Sequence, residues 1–395
     1  MFHALARPPC PPIRRIAAAA TAAAVFALVA CGHLLVAPHA AMACVAPPIA
    51  AGSSWWLPDE STPHEGTWLQ WPHHFTYGRT YRNRIEPTWI EMTRALVASE
   101  RIHVIAFDAA ERARIEALLT ANGIALDSID FLLRKTDDCW VRDNGPLFVR
   151  NDANGALDVL DWGFDGWGDD APSARDDTVP QAVATALGLE RLDRGKTVLE
   201  GGAIEVDGRG VLIATRSSIL DPKRNPGLPE EELANRFARN LGVEKVIWLD
   251  GAPGGKLDIT DMHVDGFLRF ADPRTIVTMA DADLSYWGLP DADVDVIRAA
   301  TDVDGKGYRR LDLPLTAEDA VTTYGLDLDF KGSYVNFYVA NTVVLVPTYA
   351  DANDAVALGL LQELFEERTV IGIDCRNLFR DGGMVHCVTQ QQPLP

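Results

Sequence analysis

Val198-Leu199-Glu200-Gly201-Gly202-Ala203-Ile204-Glu205-Val206, then Asp207-Gly208, then Val211-Leu212-Ile213-Ala214-Thr215 read as two strands around an Asp-Gly turn. From Pro229 to Leu241 the apolar period changes: Leu233, Phe237 and Leu241 share one helical face, and Gly242 stops the helix. Lys245-Val246-Ile247-Trp248-Leu249 then reads as a buried strand. A strand pair, an amphipathic helix and a returning strand make one ββαβ unit.

The unit recurs on both sides. Downstream, Tyr334 to Ala340 and Val343 to Val346 read as strands, Asp354 to Phe365 as a helix, and Val370 to Ile373 as a strand. Another copy runs through His263 to Phe270, Thr275 to Met279, a helix near Val294 to Ala299, and Leu311. Upstream, Val141 to Leu187 holds a less regular copy. The first copy begins at Thr67-Trp68-Leu69-Gln70-Trp71, with helices near Thr88 to Val97 and Glu111 to Leu119. Val385 to Thr389, near the other end of the sequence, is the candidate for its missing strand and would close a ring. Five such units suggest a radial α/β array with a central channel. An ordinary mixed α+β sheet fits the spacing equally well.

The first 43 residues read differently. Arg7, Arg14 and Arg15 precede an apolar run from Ile16 to Ala30, and Ala41-Met42-Ala43 has the form of a cleavage site. We read residues 1–43 as a signal peptide, 44–60 as a linker, and 61–395 as a single catalytic domain exported to the periplasm or medium. Leu28-Val29-Ala30-Cys31 also has lipoprotein form, and Arg14-Arg15 could be a twin-arginine pair. The net charge of -20 disfavours nucleic acid and anionic membrane as partners, and suits a small cationic ligand. The mature form is not expected to bind membrane unless lipidated, and its oligomeric state is left open. Cysteine is too sparse for a disulfide scaffold. No C-x-x-C or H-E-x-x-H occurs, so no metal site is expected.

Four stretches could carry chemistry. Trp140-Val141-Arg142-Asp143-Asn144-Gly145-Pro146 sets a carboxylate beside Arg142, which would keep it ionised, or forms a salt-bridged turn. Glu200-Gly201-Gly202 places an acid where backbone can come close, or starts a hairpin. On a strand, His263 and Asp265 would point to one side, as an acid/base pair, a metal corner or a solvated pair. Asp381-Gly382-Gly383-Met384-Val385-His386-Cys387 holds a thiol after a Gly-Gly turn, as a nucleophile or a buried structural cysteine. If the units ring a channel, Asp143, Glu200, His263, Asp265 and Cys387 converge. Two carboxylates can clamp a planar guanidinium, a thiolate can attack its carbon, and an imidazolium can protonate the departing ammonia.

From about Glu65 onward the chain resembles the agmatine deiminase family, grouped with bacterial peptidyl-arginine deiminases in the guanidine-modifying pentein superfamily. The resemblance is carried by Gly66 to Pro72, Trp140 to Pro146, Asp161 to Gly168, Glu200-Gly201-Gly202, His263-Val264-Asp265, Ser333 to Tyr338, and Gly382 to Pro393. It implies a five-bladed α/β propeller. It also implies cofactor-free hydrolysis of agmatine to N-carbamoylputrescine and ammonia, a step toward putrescine. By motif, Cys387 is the nucleophile and His263 the acid/base. Asp143 and Asp265 bind the guanidinium, and Glu200 orients His263. Trp140, Asp165 and Trp167 are added as substrate-binding residues. His386, alternating to the far strand face, is expected to be structural. Two positions depart from the family pattern: Met262 replaces a glycine, and Gly266 stands where asparagine is common. The alternatives are an exported peptidyl-arginine deiminase, favoured by the leader, and a non-catalytic binder of cationic amines.

Overall fold

The computed structural model describes residues 53–151, 153–252 and 258–395; the expected signal peptide lies outside them. Five separate sheets follow one another along the chain, and each contains an antiparallel pair followed by a parallel strand. A parallel return needs a crossover. Helices His74–Leu96, Val179–Leu187, Glu230–Leu241, Asp291–Arg298 and Asp354–Leu364 provide the five.

The unit that opens the sequence reading explains its own geometry. The Asp207 carboxylate accepts from the Arg209 and Val211 amides, at 2.8 and 2.9 Å, which folds the turn between strands Ile204–Val206 and Val211–Thr215. Helix Glu230–Leu241 starts with three glutamates at the positive end of its dipole and ends at Gly242, φ +69°. Leu233, Phe237 and Leu241 are buried, each such burial worth about 1.5–3 kcal/mol. Lys245–Leu249 then lies parallel to Val211–Thr215 in register.

Four expectations need correction. Residues 53–60, read as linker, are folded: Trp55–Trp56 pairs with Arg150 and Asn151, and Leu57 and Glu60 are buried. Val198 belongs to strand Arg191–Val198 of the preceding sheet, and Gly201–Ala203 is a 3-10 turn rather than hairpin. His263 does not lie on a strand; it precedes the 3-10 turn Val264–Gly266. The late strand is Gln390–Pro393, antiparallel to His64–Gln70, while His386–Val388 is a single 3-10 turn. In the last three cases tertiary contacts between connecting segments replace the local alternation that suggested a strand.

Candidate active site

Five connections lead from the last strand of one sheet to the first strand of the next. They carry Trp140 to Asn144, Glu200 to Gly202, His263 to Gly266, Asn336, and His386-Cys387. Equivalent places in five units thus contribute one cluster. Its centre is Gly202. A Cβ there would lie 2.8 Å from Asp143 Oδ1, 2.8 Å from His263 Nδ1 and 3.0 Å from Asp265 Oδ2. Only glycine lets these three side chains come together.

His263 is held from two sides. Its Nε2 donates to Glu200 Oε2 at 3.3 Å, and its Nδ1 lies 3.6 Å from Asp143 Oδ1. Burial disfavours the charged ring, but Asp143 and Glu200 outweigh it and raise its pKa to about 9. Asp143 moves to about 6: burial raises it, and Asp265 and Glu200 add repulsion that His263 only partly offsets. Its oxygens accept from the Trp167 indole, 3.0 Å, and the Gly202 amide, 3.1 Å. Arg142 is not its partner, as adjacency suggested. Arg142 turns away to Glu60, 3.0 Å.

Glu200 is buried, which alone would raise its pKa, yet its bonds to His263 and Arg224 hold it below the usual range. Arg224 bridges Glu200 and Asp261, at 2.7 Å each. Asp261 and Met262 take φ of +55° and +74°, a left-handed pair that costs non-glycine residues about 1–3 kcal/mol each. Ser217 Oγ donates to the Asp261 carbonyl and Thr215 Oγ1 to that of Met262, at 2.7 and 2.8 Å. These bonds hold the backbone that presents His263.

Cys387 is half-buried, its Sγ 3.8 Å from Asp265 Oδ2. Burial, then the charges of Asp265 and Asp143, push its thiol pKa well up. Asn336 Nδ2 donates to Sγ at 3.4 Å and to the Asp265 carbonyl at 3.1 Å, while its Oδ1 accepts from the His386 amide at 2.9 Å. Behind Asp265, His386 Nδ1 lies in hydrogen-bond contact with Oδ2 at 2.7 Å and His386 Nε2 with Glu60 Oε2 at 2.9 Å. His386 therefore touches the site rather than facing away from it. Despite burial, Asp265 is held low, first by its bond to His386.

Of the expected substrate-binding residues, Trp167 reaches Asp143. Trp140 packs so closely under Gly383 that a Cβ there would lie 2.2 Å from its ring. Asp165 is turned to its own loop, accepting from the Gly168 amide at 2.7 Å. The acidic turn from Asp161 to Asp170 has no cation in its sequence, but folding brings some to it. Arg191 pairs with Asp161, Lys223 with Asp170 at 3.3 Å, and Arg224 packs against Gly168. Among the described residues, the carboxylates spaced for a metal are Asp319, Asp327 and Asp329, none of them in this cluster. Glu60, Arg224 and Asn336 were missed from the sequence. Asn336 alone had a signal, its place in the fourth of the five connections, within the Ser333 to Tyr338 stretch.

The family model for Porphyromonas-type peptidyl-arginine deiminases matches residues 56–393. The agmatine deiminase of Stutzerimonas stutzeri is 34% identical over 368 residues, covering 86% of this chain and 96% of that protein. The agmatine deiminase of Pseudomonas aeruginosa is 33% identical over 364 residues, covering 86% and 95%. The solved agmatine deiminase of Enterococcus faecalis superposes with a TM-score of 0.74 at 26% identity, covering 90% of this chain and 99% of that one. With these matches spanning the clustered residues, the chain belongs to the agmatine deiminase and Porphyromonas-type peptidyl-arginine deiminase family and is a hydrolase of guanidine carbon–nitrogen bonds.

Proposed function

We propose that this protein hydrolyses agmatine to N-carbamoylputrescine and ammonia through a covalent adduct on Cys387, in a channel at the centre of a five-bladed α/β propeller. The observation that carries the reading is the meeting of Asp143, His263 and Asp265 at Gly202, with Cys387 beside Asp265. Charge supports it. Six linked carboxylates (Glu60, Asp143, Glu200, Glu205, Asp261, Asp265) face five cations (Arg142, Arg224, Arg269, and both histidines when protonated). A guanidinium supplies the missing positive charge.

Asp143 and Asp265 clamp the guanidinium by charge-assisted hydrogen bonds. Its charge offsets the two carboxylates that hold the Cys387 thiol protonated; the thiol gives up its proton to solvent, and the thiolate adds to the central carbon. His263, protonated below about pH 9, gives its proton to one nitrogen. The C–N bond breaks, ammonia leaves, and a thiouronium remains. Neutral His263 then takes a proton from water, hydroxide adds to the same carbon, and the C–S bond breaks to release the ureido product, the adduct's hydroxyl proton returning to the departing thiolate. Trp167 orients Asp143 through its indole N–H.

Steady-state kinetics on agmatine, arginine and peptides ending in arginine test the substrate. Arginine adds a carboxylate, and the cations nearest the acidic turn are already paired. We expect kcat/KM for agmatine to exceed the others at least ~100-fold, about 2.7 kcal/mol. Cys387→Ser should lose several orders of magnitude while keeping its circular dichroism spectrum. Faster turnover of a C-terminal arginine peptide reassigns the substrate, and an active Cys387→Ser variant refutes the covalent step.

A further inference from the structure

Behind the clamp lies a chain of charge that the proposed chemistry does not use directly. Glu60, His386 and Asp265 stand in line, with contacts of 2.9 and 2.7 Å, and all three are buried. Glu60 also pairs with Arg142 at 3.0 Å and Arg269 at 2.9 Å, so it stays ionised. Each ring nitrogen of His386 thus meets a buried carboxylate, Nδ1 that of Asp265 and Nε2 that of Glu60. The same Oδ2 of Asp265 that receives His386 faces Cys387. The residue before the cysteine thus sets the carboxylate on which the cysteine's substrate would rest.

We propose that His386 and Glu60 are positioning residues that keep Asp265 ionised and its Oδ2 aimed at the guanidinium site beside Cys387. The groups facing Asp265 are His263, Asp143, Cys387, Asn336, Arg269 and His386. Of these, only His386 makes a close charge-assisted bond to its carboxylate among the contacts described. The segment carrying Glu60 therefore belongs to the site, 326 residues from His386 in sequence. The inference rests on the deimination reading, so its test includes a measurement that needs no turnover.

The experiment uses the full chain with Glu60→Gln and His386→Asn. Agmatine hydrolysis is followed from pH 5 to 10, with thermal unfolding in parallel. Asp265 is held low first by its bond to His386, so loosening that bond raises the pH at which its carboxylate forms. The acid limb of kcat/KM should move up by at least one pH unit and steepen toward two protons, and KM should rise at least tenfold. A purely structural role would lower stability and leave the limb in place. In parallel, ethylguanidine is titrated as a protectant of Cys387 against iodoacetamide at pH 6, read by peptide mass. Protection should need at least tenfold more ethylguanidine in the variants. Unmoved pH limbs and unchanged protection in folded Glu60→Gln overturn the proposal. That variant, which conserves volume, decides the matter where His386→Asn does not fold. Glu60-dependent protection without agmatine turnover would leave the brace standing and remove agmatine as substrate.

Discussion

In the reaction proposed above, the shifts of His263 and Asp143 set the working pH range. His263 must carry its proton to release ammonia, and that proton is lost as pH rises through about 9. Asp143 must be ionised to bind a cation, and that charge is lost as pH falls through about 6. A kcat/KM profile should therefore be bell-shaped, with apparent limbs near these two values, assigned to the pair and not to either residue. A profile still rising at pH 10 would contradict the acid role of His263. Asn336 offers a second test. It is the side-chain N–H donor to Cys387 Sγ among the described contacts, and the acceptor for the His386 amide. Asn336→Ala leaves that buried amide with one acceptor fewer and the thiolate without its donor, costing about 1–3 kcal/mol. We expect a 10- to 100-fold loss in kcat, and slower alkylation of Cys387 at fixed pH.

The turn ahead of His263 holds two non-glycine residues in the left-handed region, Asp261 and Met262. Glycine suits φ +74° at position 262, yet Met262 is there, almost fully buried in the core between two sheets. Relief of the left-handed backbone in Met262→Gly is worth about 1–3 kcal/mol. Deleting a buried methionine side chain costs about 2–5 kcal/mol even to alanine. The second term wins, so the variant should melt earlier by calorimetry, not later. A higher melting temperature would mean that strain dominates this turn. The same region shows how far local pattern could be trusted. Helix Glu230–Leu241 and strand Lys245–Leu249 were legible almost to the residue, because apolar spacing and a glycine stop are local properties. The His263 turn was not, because it is held by Ser217, Thr215 and Arg224 from elsewhere in the chain.

Chain closure ties the two ends of the described structure together. Strand Gln390–Pro393 pairs with His64–Gln70, and Glu60 binds Arg142, Arg269 and His386. We propose that the leader is removed on export, so that N-terminal sequencing of protein recovered from cells begins near Cys44. A product retaining Met1 would sink that reading. Shortening further should have a sharp threshold. A chain starting at Cys44 should keep full activity. One starting after Glu60 leaves buried cations without their carboxylate, a loss of about 3–5 kcal/mol, and should be inactive or unfolded by circular dichroism. Equal activity in both would show that residues 53–60 are dispensable.

The recurring ββαβ unit, the helix faces and the four chemical motifs were readable from residue order, since alternation, helical period and turn chemistry act over a few neighbours. Folding alone decided which charges meet. Glu60 looked like linker, His386 like the back of a strand, and Arg142 like the partner of Asp143. Each was settled by a contact between segments far apart in sequence. The physical reason is the cost of burying charge: an ionised group taken out of water must find a partner wherever packing brings one, and no local spacing encodes that distance.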